Sequence, residues 1–135
     1  EKSFERYKRY PVSIFSFVEG TRFTRLKQID QASQYDYLLN PKHGGIGLTL
    51  STMPYIKKLL DFTIYYHDTR RSFWDFLCGR MSKIDVYIKV IEIPNSLRNR
   101  EYETDKKYRD ELKSWLNYLW KDKDSLLERL EKNQN

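Results

Sequence analysis

The sequence predicts an α/β domain with a mixed or mostly parallel sheet flanked by helices. Three observations carry that class. Val12–Val18, VSIFSFV, is short, almost wholly apolar and rich in β-formers, as in a strand covered on both faces. Lys83–Ile93, KIDVYIKVIEI, alternates apolar and polar residues with a period of two. From about Asp105 to Leu130, leucines and tryptophans recur at three- and four-residue spacing, which predicts a long amphipathic helix at the carboxyl end.

In chain order, residues 2–10 place Phe4, Tyr7 and Tyr10 on one helical face with bases on the other, and Pro11 stops that helix. The strand over Val12–Val18 follows. Residues 19–42 are polar and irregular up to the turn signal Asn40-Pro41. From Gly44 to Leu60, Ile46, Leu50, Met53 and Ile56 fall at helical spacing behind an entrance of glycines, and Pro54 interrupts the pattern as a kink or the start of a second short helix.

Phe62–Tyr66, FTIYY, reads as a second strand, and SFWDFL as a short helix closed by Gly79. In KIDVYIKVIEI, Ile84, Val86, Ile88 and Val90 share one face opposite Asp85, Tyr87 and Lys89, the pattern of a half-exposed strand near a sheet edge. The charged run Lys121–Asp124 is the place where the last helix is expected to break. No internal repeat or low-complexity segment interrupts this order, and 135 residues suffice for one domain with a real core.

Composition narrows the function classes. Cys78 is the only cysteine, which excludes an intrachain disulfide framework and fits a reducing compartment. Its apolar neighbours and the lack of a nearby His predict a packed thiol rather than a nucleophile. No apolar run approaches the roughly 18 residues of a membrane span, and no secretory leader pattern is visible. The net charge of +6 is unevenly placed. Residues 1–60 carry ten Lys and Arg against five Asp and Glu, whereas residues 101–135 carry eight against nine. A basic amino-terminal part points to an anionic partner: nucleic acid, a phospholipid headgroup or a phosphorylated small molecule.

The chemistry-bearing residues cluster where the first strand ends. Arg22 is suited to bidentate contact with phosphate or carboxylate, and Gly20 lets the backbone turn close to a ligand. Thr21 adds a hydroxyl, and Glu19 is placed to accept from a substrate hydroxyl or to hold Arg22. The same tetrapeptide also reads as a surface turn bearing a Glu–Arg pair. Asn40–Gly47, NPKHGGIG, offers Lys42, Gly44 and Gly45 ahead of a helix, a place that attracts anions, and equally suits close helix packing. It is not a dinucleotide fingerprint, since Leu50 occupies the third glycine position, and no phosphate-binding P-loop sequence occurs. His43 and His67 are read as non-catalytic. No His/Cys/Asp/Glu cluster has zinc-site spacing, so no metal is expected. The Arg70-Arg71 pair reads as an exposed basic turn.

The block FVEGTRF, followed about twenty residues later by Lys42-His43-Gly44-Gly45, resembles the glycerolipid acyltransferases that include the 1-acylglycerol-3-phosphate acyltransferases. Phe17, Glu19, Gly20, Thr21 and Arg22 match that family's Phe-Pro-Glu-Gly-Thr-Arg block, with Val18 in place of the proline. With YLLNPKHGG and the tail WLNYLWKDKDSLLERL, the likeness is to the bacterial branch related to lysocardiolipin acyltransferases, and it covers nearly the whole chain. It implies acyl transfer from acyl-CoA or acyl carrier protein to a lysophospholipid, at the cytoplasmic face of the inner membrane, with no cofactor or metal and no nucleic-acid partner. It assigns the acceptor phosphate to Arg22 and the glycerol site to Glu19, Gly20 and Thr21, with Lys42, Gly44 and Gly45 as secondary contacts.

Such enzymes use a His-x-x-x-x-Asp base, but the fifth residues after His43 and His67 are Leu48 and Ser72. The resemblance therefore implies that residues 1–135 are the carboxyl-terminal part of one acyltransferase domain. They would hold the acceptor half of the site, without activity alone and with self-association through exposed strand edges and apolar surface. Two other readings stay open: a basic nucleic-acid-binding module, and a non-catalytic interaction domain docking through Trp115 and Trp120.

Overall fold

A computed structural model describes residues 13–68 and 72–133. The expected helix over 2–10 and the Arg70-Arg71 pair lie outside them. The described residues form a mixed α/β structure. Its elements are α1 (Arg25–Asp30), α2 (His43–Thr52), β1 (Lys58–Tyr66), α3 (Phe73–Leu77), β2 (Ile84–Glu92), a 3-10 turn (Asn95–Leu97) and α4 (Lys106–Lys132).

Helix α4 is the spine. Asp105 caps it, accepting from Tyr108 N–H at 2.9 Å, and Arg100 clamps the cap from Nη2 at 2.8 Å. Its amino-terminal half buries Tyr108, Leu112 and Leu116 against Ile46 and Leu50 of α2 and against Ile93 and Leu97. Its carboxyl-terminal half buries Leu119, Trp120 and Leu127 against Tyr35, Leu38 and Tyr65. Val18 and Trp115 pack against both clusters and join them.

The expected break at Lys121–Asp124 does not occur: the run holds no Gly or Pro, and its charges serve as side-face fasteners. Lys123 pairs with Asp61 and donates to the Phe62 carbonyl at 3.2 Å. Asp122 pairs with Lys89, and Asp124 accepts from the Asp36 and Tyr37 N–H groups at 3.0 and 2.8 Å. One short stretch thus ties both strands and the 36–37 loop to the helix.

The sheet differs from expectation. Among the described residues it is one antiparallel pair, in register from Lys58↔Glu92 to Tyr66↔Ile84, rather than a mostly parallel sheet. Among its described residues the 67–83 connection contains only the five-residue α3, too little for the helical crossover that parallel strands require, and the chain doubles back. Residues 13–17 are coil rather than a buried strand, with Phe15 and Phe17 82% and 90% exposed. No described strand lies alongside to complete a ladder; only Val18 turns inward.

Along β1, Asp61, Thr63 and Tyr65 face α4, and Tyr65 donates its hydroxyl to Glu131 at 2.9 Å. Helix α2 stops at Thr52, short of the helical pattern expected to Leu60, because Met53 precedes Pro54, which disfavours helical geometry there; no second helix follows, and β1 begins at Lys58. Helix α3 ends as expected, with Gly79 at φ +65°. Cys78, expected to be packed, is exposed because α3 buries none of its own residues.

Candidate functional site

The site is built on a tight turn. Gly20 N–H donates to the Phe17 carbonyl at 2.8 Å, and Gly20 sits at φ +71°, a conformation that favours glycine. The buried Leu38 and Leu39 bring the following segment back beneath the turn, where Lys42 N–H donates to the Val18 carbonyl at 2.8 Å. The Lys42 side chain then crosses the turn: a Cβ on residue 20 would stand 3.1 Å from its Nζ. Two stretches twenty residues apart in sequence thus meet through both backbone and side chain.

Thr21 and Arg22 continue outward, both exposed. Thr24 caps α1, which swings Lys27 back over the turn, where its ammonium donates to Thr21 Oγ1 at 2.6 Å and to the Arg22 carbonyl at 3.4 Å. Arg22, Lys27 and Lys42 therefore border one turn, and no ion pair with a described residue engages any of the three. Lys27 was not among the residues singled out from the sequence. Its spacing from Thr21 follows no helical or strand period, and only the Thr24 cap three residues earlier hints at where it points.

Glu19 points the other way. Its half-buried carboxyl is pushed above the ordinary value by burial, against the opposing pull of the Leu39 backbone, the Trp120 indole and the Lys123 charge. It therefore does not form the surface pair with Arg22 that the tetrapeptide allows. Trp120 is 93% buried, and its Nε1 closes no full hydrogen bond with a described acceptor although it lies close enough to influence Glu19. Its buried position also removes it as an exposed docking anchor; Trp115 is half-buried.

The glycines after Lys42 divide by role. Gly44 and Gly45 are exposed in the first turn of α2, whose cap residue Lys42 contributes no side-chain hydrogen bond. Space beside Gly45 is open, and Gly44 lies near the Tyr102 hydroxyl. Gly47 is a packing glycine: a Cβ there would fall 2.0 Å from Tyr102 Cδ2. Tyr102 bonds His43 Nδ1 through its hydroxyl at 2.7 Å and packs edge-on against Tyr108. His43 is thereby held to Tyr102.

His67 is at the far end of β1, with Nε2 2.8 Å from Asp85 Oδ2; that contact, then Lys83, holds the Asp85 carboxyl below its usual range. Among the described residues no group of three His, Cys, Asp or Glu side chains is arranged for a metal ion, and no helix is long and apolar enough to cross a membrane. An open groove of about 920 Å³ between Leu97 and the first turns of α4 contains none of the turn residues.

Chemically, the turn is an exposed cationic corner with a hydroxyl and free backbone N–H groups at a helix entrance. It is suited to a small dianion such as a phosphate monoester. Compared with family models, curated proteins and solved structures, the chain matches none.

Proposed function

We propose that Gly20, Thr21, Arg22 and Lys42 form the acceptor-phosphate corner of an acyltransferase that esterifies a lysophospholipid such as 1-acylglycerol-3-phosphate. One observation carries the reading: Lys42, assigned to the acceptor on sequence resemblance alone, lies across Gly20 of the FVEGTRF block, with Arg22 two residues away. Gly44 and Gly45 extend the corner along the α2 entrance. Glu19, turned inward, supports the turn from beneath, and Lys27 holds Thr21.

In the reaction, the acceptor hydroxyl oxygen bonds to the thioester carbonyl carbon of acyl-CoA or acyl carrier protein, and the carbon–sulfur bond breaks. The hydroxyl proton passes to a general base and then to the departing thiolate. The base is a His-Asp pair on a segment other than residues 1–135, so this chain contributes binding and orientation. Fixing the phosphate sets the position of the hydroxyl, and such positioning supplies much of the rate in acyl transfer. The reading places the work in phospholipid biosynthesis at a membrane surface.

The test is binding of lysophosphatidate to this chain by titration calorimetry, with Arg22→Ala and Arg22→Lys variants. Arg22→Ala is expected to lose roughly 1.5–3 kcal/mol, the range of a charge-assisted hydrogen bond. Arg22→Lys should recover part of that loss, because charge remains while the bidentate geometry does not. Equal affinity in all three proteins removes Arg22 from the acceptor site. Turnover by the chain alone with acyl-CoA and lysophosphatidate would show that the base is within it.

A further inference from the structure

Lys27 is a cation fixed in place without a described counter-ion. Its helix, α1, is pinned to the body by the next residue, Gln28, which is buried and donates its amide to the Tyr35 and Asp36 carbonyls at 2.5 and 3.0 Å. Just past the helix, the Asn40 amide donates to the Gln31 carbonyl at 3.0 Å, which ties α1 to the stretch leading into Lys42. On this frame the Lys27 stem is half-buried, and its ammonium reaches Thr21 Oγ1 at 2.6 Å rather than the Asp30 carboxylate one turn along. With Arg22 and Lys42, three cations border one turn, and no described carboxylate neutralises them; the turn's own acid, Glu19, is directed inward. Like charges held together repel unless an anion completes the set.

We propose that Lys27 determines the headgroup specificity of this corner, admitting a phosphate monoester in preference to a phosphodiester; the inference rests on the acceptor reading given above. Thr21 accepts from Lys27, and no described acceptor takes its hydroxyl proton, so the O–H is left to donate outward. Lys27 directs one N–H to Thr21 and a second, at 3.4 Å, to the Arg22 carbonyl, which leaves a third for a ligand. A monoester dianion presents three terminal oxygens, matched by Arg22, Lys42 and the Lys27–Thr21 pair. A diester presents two and a single charge. Its second ester oxygen, a poor acceptor carrying a bulky substituent, would face Lys27 and leave that ammonium unpaired. Discrimination of this kind comes from the polar group that the wrong ligand cannot satisfy.

The test is titration calorimetry of lysophosphatidate, a monoester, and lysophosphatidylglycerol, a diester, each below its micelle concentration. Mildly alkaline buffer keeps the monoester a dianion. The proteins are the wild type, Lys27→Met, Lys27→Gln and Arg22→Ala, with far-UV circular dichroism checking each fold. Methionine keeps an apolar stem without the charge, and glutamine serves where methionine perturbs the fold. The wild type should prefer lysophosphatidate. Removing the Lys27 charge should weaken that lipid about tenfold, the scale of one charge-assisted hydrogen bond, and change lysophosphatidylglycerol less than about twofold. Arg22→Ala should weaken both lipids, because it meets oxygens that both carry. Equal losses for the two lipids in the Lys27 variants, which a merely structural lysine would give, or unchanged affinities would overturn the proposal. In either case a loss in Arg22→Ala would leave the acceptor reading standing without Lys27. A wild type that binds neither lipid would overturn both.

Discussion

Lys42 lies across Gly20, with its backbone N–H on the Val18 carbonyl and its Nζ 3.1 Å from the position a residue-20 Cβ would take. The lysine end is flexible, so it can yield; the backbone at φ +71° cannot without breaking the Phe17–Gly20 turn. Gly20→Ala is therefore expected to cost about 1–2 kcal/mol in urea unfolding, the penalty of the left-handed region. The cost should persist in a Lys42→Ala background, and Gly20→Asn should cost less. Disappearance of the cost when Lys42 is shortened would mean that contact, not conformation, demands the glycine.

This turn also shows what was legible in the sequence. Local signals were read well: the Gly20 turn, the α3 stop at Gly79, the interruption at Pro54 and the heptad-like spacing of α4 all follow from residue chemistry within a few positions. Strand pairing was not, because it depends on what lies alongside. Val12–Val18 has the composition of a buried strand, yet Phe15 and Phe17 are solvent-facing where no described strand pairs with residues 13–17. Lys27 and the inward course of Glu19 were invisible for a related reason: both depend on packing against Thr21 or Trp120, contacts without a sequence period.

Gly47 should report on the brace behind the α2 entrance. A methyl group there would overlap the Tyr102 ring at 2.0 Å, and Tyr102 is held by His43 at 2.7 Å. Gly47→Ala is expected to destabilise by about 1–3 kcal/mol, the usual cost of overpacking. In a cycle with Tyr102→Ala the two losses should fail to add, with a coupling of about 1 kcal/mol or more. Additive losses would separate Gly47 from Tyr102.

Glu19 gives a prediction in pH. Burial raises its folded pKa above the unfolded value near 4.5, so the folded state holds the proton more tightly. The stability this contributes is full below that value and is lost as pH rises through the folded pKa. Glu19→Gln lacks the loss. Wild-type Tm minus variant Tm should therefore fall as pH rises from the unfolded value through the raised folded one, leaving the variant at least as stable above it. Asp68, Asp85 and Asp105, all held low, lose their contributions in acid in both proteins and cancel in the difference. A difference that grows with pH would mean that Lys123 and Trp120 outweigh burial.

Tyr108 tests how the spine of the fold is satisfied. It is fully buried, and its hydroxyl donates to the Leu97 carbonyl at 3.0 Å, closing the 3-10 turn onto α4. Tyr108→Phe keeps the ring and leaves that carbonyl without its donor, a loss of about 1–3 kcal/mol. Leu112, one turn along and equally buried, makes no such bond; Leu112→Ala opens a cavity costing about 2–5 kcal/mol. Chemical denaturation should place Leu112→Ala below Tyr108→Phe, with exchange at the Asn95–Leu97 turn accelerated selectively in the tyrosine variant. The selective effect follows because the hydroxyl holds one turn, whereas the leucine supports the whole Ile46–Leu116 cluster. Uniform acceleration in both variants would show the turn to be held by packing alone.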